Sequence, residues 1–248
     1  MKKIIWIFFV IIFIDAVSVS CSKNENEDEI NPFNGQTTAL FNPNVDYGSL
    51  TDQDGNIYKT VRIGNQTWMA ENLRTTKYND GTPIQNVSND DDWDHLSTGA
   101  YCNYNNLSNV ETIATYGRLY NGYAVITGKL APKGWHVATD ADWETLTAYL
   151  DCEGQEANKL KEQGTTHWET AAWINDVTNE TGFTAIPAGT RGPLVSFAEI
   201  SYVVYWWCVE KENPSNLWYL DLIYYSESLW SGNNLTKLFG FSIRCVMD

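Results

Sequence analysis

From residue 179 to the C-terminus, apolar bursts no longer than a β-strand alternate with turn residues, and this punctuation constrains the fold more than any other feature of the chain. The bursts cover 183–186, 201–209, 217–222 and 239–246, with Gly, Pro, Asn and Ser between them, so this stretch reads as short strands. Upstream, Asp54-Gly55-Asn56 and Gly64-Asn65 are turn signals on either side of the alternating segment 57–63, which with 66–70 reads as a hairpin. Helices fall in between. Thr139, with Asp142 three residues on, is a capping signal for a helix whose Trp143, Leu146 and Leu150 share one face. Gly154 ends that helix, and 156–162 adds a turn or two with Leu160 inward. A shorter amphipathic stretch, 118–126, places Leu119, Tyr123 and Ile126 on one side and is interrupted by Gly122. Hairpin, then helices, then strands is the segregated α+β order rather than βαβ alternation. Residues 31–50, with Pro32, Gly35, Pro43 and Gly48, read as a lead-in, and 79–98 as a polar loop.

The first 30 residues address the protein. Lys2 and Lys3 precede an apolar run, 4–14, that is too short for the ~20 residues that span a bilayer, so it reads as a signal peptide, residues 1–20. The run leads into Val17-Ser18-Val19-Ser20-Cys21, which resembles a bacterial lipobox, although Ser18 stands where leucine is usual. Cleavage before Cys21 would leave a lipidated N-terminus, held at a membrane by about 0.8 kcal/mol per buried methylene. The polar, acidic run 22–29 that follows is a solvated tether and resembles the surface-export signal of Bacteroidetes-type lipoproteins. The expected location is therefore the outer membrane, lipid-anchored and exposed at the cell surface. Segment 21–50 is the lipidated tether and linker, and 51–248 the single domain that a 248-residue chain accommodates.

The formal charge is -15 for the full chain, and loss of residues 1–20 leaves 14 basic against 30 acidic groups, near -16. That balance argues against nucleic acid as a partner, because phosphate contacts require clustered Lys and Arg. Candidate chemistry is sparse. A calcium loop starting at Asp52 would put Ile57 where glycine is needed and Ile63 at the bidentate position, so the segment is a turn. Asp90, Asp91, Asp92 and Asp94 are the remaining calcium candidates, read as a solvated loop, and no resident metal or cofactor is expected. Glu212-Asn213-Pro214 and Trp173-Ile174-Asn175-Asp176 only approximate lectin sugar-binding elements. His95, His136 and His167 accompany neither a Ser-His-Asp order nor a Gly-x-Ser-x-Gly elbow and read as scaffold histidines. No catalytic residue is assigned, with a carboxylate pair for polysaccharide hydrolysis kept as the alternative.

Aromatics carry the functional expectation. Tyr205, Trp206, Trp207, Trp218, Tyr219, Tyr224, Tyr225 and Trp230 fall within 26 residues, more than one small sheet buries on one face. Strand alternation puts Trp206 and Trp207 on opposite faces. The expected ligand surface is Trp207, Trp218, Tyr225 and Trp230, suited to stacking on sugar rings or to a protein contact.

The segments DQDGNIYKTVRIGNQTWMAENLR, GAYCNYNN, YGRLYNGYAV, PKGWHVATDADWETLTAYL, NKLKEQGTTHW, TNETGFTAIPAGTR, YWW and KLFGFSIRCVMD, in this order, resemble the Fibrobacter succinogenes major paralogous domain over residues 51–248. The GWHVATDADWETL and GFSIRCV pieces are also similar to parts of formylglycine-generating-enzyme and C-type-lectin-like domains. The resemblance implies a compact C-type-lectin-like α+β domain with two main helices, small antiparallel sheets and neighbouring termini, in a surface lipoprotein. It makes Trp68, Trp135, Trp143, Trp168 and Trp206 core residues. Oxidase chemistry of the formylglycine-generating kind needs a closely spaced cysteine pair near the C-terminus, whereas Cys208 and Cys245 are 37 positions apart. With Cys21 lipidated, Cys102, Cys152, Cys208 and Cys245 permit three connectivities. The resemblance favours Cys152–Cys208, both unusual for the family, and Cys102–Cys245. The functional expectation is a non-enzymatic binding or adhesion domain for polysaccharide or a surface protein, with an enzyme or a purely structural surface protein as the alternatives.

Overall fold

The computed structural model describes residues 31–150, 154–171, 176–213 and 215–248. The signal segment, Cys21 and the acidic tether lie outside the described residues, as do Cys152, Pro214 and Trp173-Ile174-Asn175. In chain order the elements are β1 (Tyr47–Thr51), β2 (Ile57–Ile63), β3 (Gln66–Met69), β4 (Gln85–Asn86), α1 (Asp90–Asp94), β5 (Ala100–Cys102), α2 (Val110–Tyr116), β6 (Leu119–Asn121), α3 (Gly122–Val125), β7 (Trp135–Val137), α4 (Asp140–Leu150), α5 (Glu156–Leu160), β8 (Ala188–Gly192), β9 (Val195–Ile200), β10 (Val203–Val209), β11 (Leu217–Ile223), β12 (Trp230–Asn233), β13 (Gly240–Phe241) and β14 (Cys245–Met247).

Two sheets organise them. The first runs β1-β2-β3-β14-β7, so the last strand of the chain pairs with the opening hairpin and the two ends of the domain are neighbours. The second runs β12-β11-β10-β8-β13-β6-β5-β4, with β9 added to β8. Mixed helix and strand content, with short helices interleaved among β4 to β7, is compatible with the expected α+β class. The capping signal is realised as written: Thr139 N–H donates to Asp142 Oδ2 at 2.8 Å while Asp142 N–H donates to Thr139 Oγ1 at 3.2 Å. Trp143, Leu146 and Leu150 of α4 are buried, and so is Leu160 of α5.

Strand β10 is the wall between two cores. Its Val204, Trp206 and Cys208 face one cluster, where Trp206, Trp143, Trp68 and Phe183 pack with ring centroids 4.8–5.8 Å apart. Its Tyr205 and Trp207 face the other, against Phe241 at 4.9 and 4.7 Å. The five Trp residues assigned to the core are all buried. Arg244 is buried among them, and among the described residues no carboxylate forms an ion pair with it. Its guanidinium donates to Asn72 Oδ1 and to the carbonyls of Met69, Phe183 and Thr184 and lies 4.5 Å over Phe183. Burial lowers its pKa to about 9.

Several expectations are corrected. The segment 118–126 is not a helix: 119–121 is a strand, and only one helical turn follows, because Asn121 Oδ1 caps it by accepting from Ala124 N–H at 3.0 Å. The burst 183–186 is not a strand; Thr184 has φ of 53° and the Phe183 and Thr184 carbonyls are engaged by Arg244 instead of a ladder. The burst 239–246 breaks into β13 and β14, which belong to different sheets. Residues 31–50 belong to the compact unit rather than to a linker. Thr38 N–H donates to Thr115 Oγ1, Leu40 N–H to Glu162 Oε1, and Asn42 Nδ2 to the Asn179 carbonyl. Among the described residues Cys102, Cys208 and Cys245 are free and buried, so the expected Cys102–Cys245 bridge is not formed, while the expected Cys152–Cys208 pair involves Cys152, which lies outside the described residues. Cys102 packs with Trp93 and Leu119, whereas Cys245 sits in a separate core cluster on the other sheet, so the Cys102–Cys245 bridge would have to draw two sheets together.

Candidate functional site

Helix α4 lies against the first core through Trp143, Leu146 and Leu150, and a second stripe follows from its 3.6-residue period: Asp140, Trp143, Glu144 and Thr147, spaced i, i+3, i+4, i+7. This stripe faces the end of the second sheet, where β11 carries Trp218 and Leu220, and β12 carries Trp230 and Ser231. Together they enclose a cleft of about 270 Å³, closed at the back by Cys208 and Leu229. Trp230 is the first residue of the edge strand β12, paired with Asp221, and its Nε1 donates to Ser226 Oγ at 3.0 Å. It is 58% exposed. The register of β12 depends on Gly232, since a Cβ there would come within 2.4 Å of Tyr219 Oη. On its other side Trp230 walls a second, wider hollow of about 610 Å³ with Ile223, Tyr225, Ser226 and Glu227. Tyr225 is 48% exposed and stacks edge-on with Tyr224 at 5.1 Å.

The chemistry of the cleft is apolar inside and acidic on one wall. Asp140 Oδ1 accepts from Ala141 N–H at 2.8 Å and Lys211 N–H at 3.1 Å, and Glu144 is exposed one turn on. Among the described residues no Lys, Arg or His lines the cleft. Burial, with the charges of Asp140, Asp142 and Glu144, pushes the Cys208 thiol well above its ordinary pKa, so it presents a protonated, apolar sulfur rather than a nucleophile. The indole N–H groups of Trp143 and Trp218 have no hydrogen-bond partner among the described residues.

The expected ligand residues separate. Trp218, Tyr225 and Trp230 line these two adjoining hollows. Trp207 does not: it is 1% exposed, donates its N–H to the Tyr120 carbonyl at 2.8 Å and packs on Phe241, because this face of the sheet is covered as well. Asp140, Glu144 and the α4 face of Trp143 were missed, although their i, i+4 spacing is legible in the helix. The aspartates proposed for calcium do not converge. Residues 90–94 form α1, capped by Asn89; Asp90 accepts from Arg191 at 2.7 Å and Asp94 from Leu194 N–H at 3.1 Å. Among the described residues no group of three or more His, Cys, Asp or Glu could hold a metal ion. His167 is tied to Glu162 at 2.6 Å and Thr38 at 3.0 Å, and His136 bridges Asp142 and Asp248.

The sequence model of the Fibrobacter succinogenes major domain matches residues 61–247. The chain belongs to this family. Neither the comparison with curated proteins nor that with solved structures yields a match. The matched span of this Fibrobacter succinogenes major domain includes all of the residues that form the cleft, from Asp140 on α4 to Ser231 on β12.

Proposed function

We propose that the domain is a non-enzymatic carbohydrate-binding module, carried by a lipid anchor at Cys21 on the outer surface of the outer membrane. One observation carries the reading: a half-exposed indole, Trp230, stands at the mouth of a cleft whose inner surface is apolar and whose α4 wall offers carboxylate acceptors. A pyranose ring presents an apolar C–H face and a rim of hydroxyl donors, which is the complement of that arrangement. The acidic lining favours neutral polymers over anionic ones. Asp140 and Glu144 rise from the same helix face, i and i+4, and so stand together on one wall of the cleft instead of flanking a bond, which supports binding over hydrolysis. The neighbouring ends of the domain, brought together by β3 and β14, agree with a C-type-lectin-like arrangement. The test is a glycan array with the protein and its Trp230→Ala variant. The wild type should retain neutral glycans and the variant lose them with unchanged circular dichroism. Polysaccharide turnover without stable binding would refute the reading.

A further inference from the structure

We propose that Lys161 is a positioning residue for the sugar site: its buried ammonium holds the turn that carries Tyr225 and, through Ser226, sets the indole of Trp230. This rests on the carbohydrate reading above and adds the control of that site. Lys161 directly follows α5 and is 1% exposed. Its Nζ donates to the carbonyls of Ile223 at 2.6 Å, Ser226 at 2.7 Å and Tyr224 at 3.4 Å, and lies 5.0 Å from the centre of the Trp168 ring. A lysine is seldom buried unless it is paired. Here the three N–H groups of the ammonium meet backbone carbonyls of a single turn.

Ser226 N–H donates to the Ile223 carbonyl at 3.0 Å, so 223–226 is a four-residue turn between β11 and β12, and Lys161 ties its first and last carbonyls. Ser226 passes the constraint on. Its Oγ accepts from Trp230 Nε1 at 3.0 Å and from Ser228 N–H at 3.1 Å, and donates to the Ser228 carbonyl at 3.2 Å. An indole as exposed as Trp230 has a broad second torsion, which the bond to Ser226 narrows. Ala157 N–H, donating to the Glu227 carbonyl at 2.8 Å, and Ser228 Oγ, donating to the Gly154 carbonyl at 3.1 Å, clasp the same loop. Of these clasps the ammonium is the one that titrates. Burial lowers its pKa from 10.5 to about 8, against the opposing charge of Glu227. Glu162, Glu169 and Tyr224 border the hollow beside it, with His167 bonded to Glu162. Below about pH 8 the turn is held; above it a neutral amine keeps two N–H groups for three carbonyls, and the turn loosens. Asp221, opposite Trp230 on β11, titrates at about 6, below this range.

The test labels the protein with fluorotryptophan and assigns the Trp230 resonance by its loss in Trp230→Phe. In the free protein that resonance should move between pH 7 and pH 9.5 in one step centred at about 8, and affinity for cellotetraose, by isothermal titration, should fall roughly three- to tenfold over the same range. Lys161→Met keeps the apolar stem beside Trp168 and deletes the ammonium, so it should show the high-pH resonance and the weaker binding already at pH 7, with no further step. Ser226→Ala leaves Lys161 and its carbonyls in place and cuts the link to Trp230, so it too should abolish the step; it decides the matter if Lys161→Met fails to fold. His136 titrates in every one of these proteins, so a step that it causes survives in both variants. A Trp230 resonance that stays fixed through pH 8, a step that survives in either variant, or a Lys161→Met protein with a lowered melting temperature but the wild-type resonance and affinity overturns the positioning role. Absence of cellotetraose binding at every pH counts against the carbohydrate reading, and the free-protein titration, which needs no sugar, then decides the role of Lys161 by itself.

Discussion

Replacing Asp221 by Asn should stabilise the protein above neutral pH. Asp221 lies in the middle of β11, opposite Tyr205 of β10 and Trp230 of β12, 8% exposed, and its Oδ1 has no hydrogen-bond partner among the described residues. Burial, reinforced by the negative charge of Glu199, raises its pKa from 3.8 to about 6. At about 1.4 kcal/mol per tenfold, that difference sets the cost of holding the ionised form in the folded state at ~3 kcal/mol. The folded carboxyl binds its proton more readily than the unfolded one, so the penalty is complete above the folded value, falls as pH drops through about 6, and is gone below 3.8. Solvent screening near the sheet edge and the buried amide of the new side chain reduce the return to about 1–2 kcal/mol at pH 8, a rise in melting temperature of about 2–8 °C for a domain of this size. Urea unfolding of both proteins at pH 8 and at pH 4.5 measures it. The gain should be present at pH 8 and shrink at pH 4.5. A variant that is less stable at pH 8, or one whose gain is the same at both pH values, refutes the account of Asp221.

Further outcomes follow from the packing. Trp207→Ala should cost about 3–5 kcal/mol of stability through loss of the contact with Phe241, and an unchanged melting temperature would contradict the burial of Trp207. His136, hydrogen-bonded to Asp142 at 2.9 Å and Asp248 at 2.8 Å, has its pKa raised by these carboxylates, above all Asp142. Its contribution is therefore full below the unfolded value of 6.5 and is lost as pH rises through the folded one, so His136→Gln should lower stability more at pH 5.5 than at pH 9. Denaturant melts that show the reverse order would contradict it. Peptide mapping after alkylation without reduction should find Cys102, Cys208 and Cys245 modified as thiols once the protein is unfolded. Recovery of a Cys102–Cys245 bridged peptide would contradict the structure.

What the sequence made legible was whatever depends on local period and local polar pairing. The Thr139–Asp142 capping pair announces α4, and the hairpin turns announce β2 and β3, because in each case the partners lie within a few residues. The stretch 118–126 misled because apolar spacing over so few residues is shared by a helix and a strand, and Asn121, whose side chain starts α3 and also accepts from Ala100 N–H, decides the matter through a contact 21 residues away. Alternation correctly separated Trp206 from Trp207, yet the burial of Trp207 depends on Phe241 and Tyr120, which only the topology brings to that face. The candidate site shows the same division. Trp218 and Trp230 were visible as an aromatic excess, whereas the acidic wall facing them belongs to a helix some 80 residues earlier and could be paired with them only once β12 was placed at the sheet edge.

The central claim, that the cleft between α4 and β12 is a sugar site, is tested most directly by following tryptophan indole N–H resonances during titration with a glycan retained on the array. The account predicts that the signals of Trp143, Trp218 and Trp230 shift with one common dissociation constant while those of Trp93 and Trp207 stay fixed. Binding that moves none of the three cleft indoles, or that moves Trp93 or Trp207 instead, would contradict it.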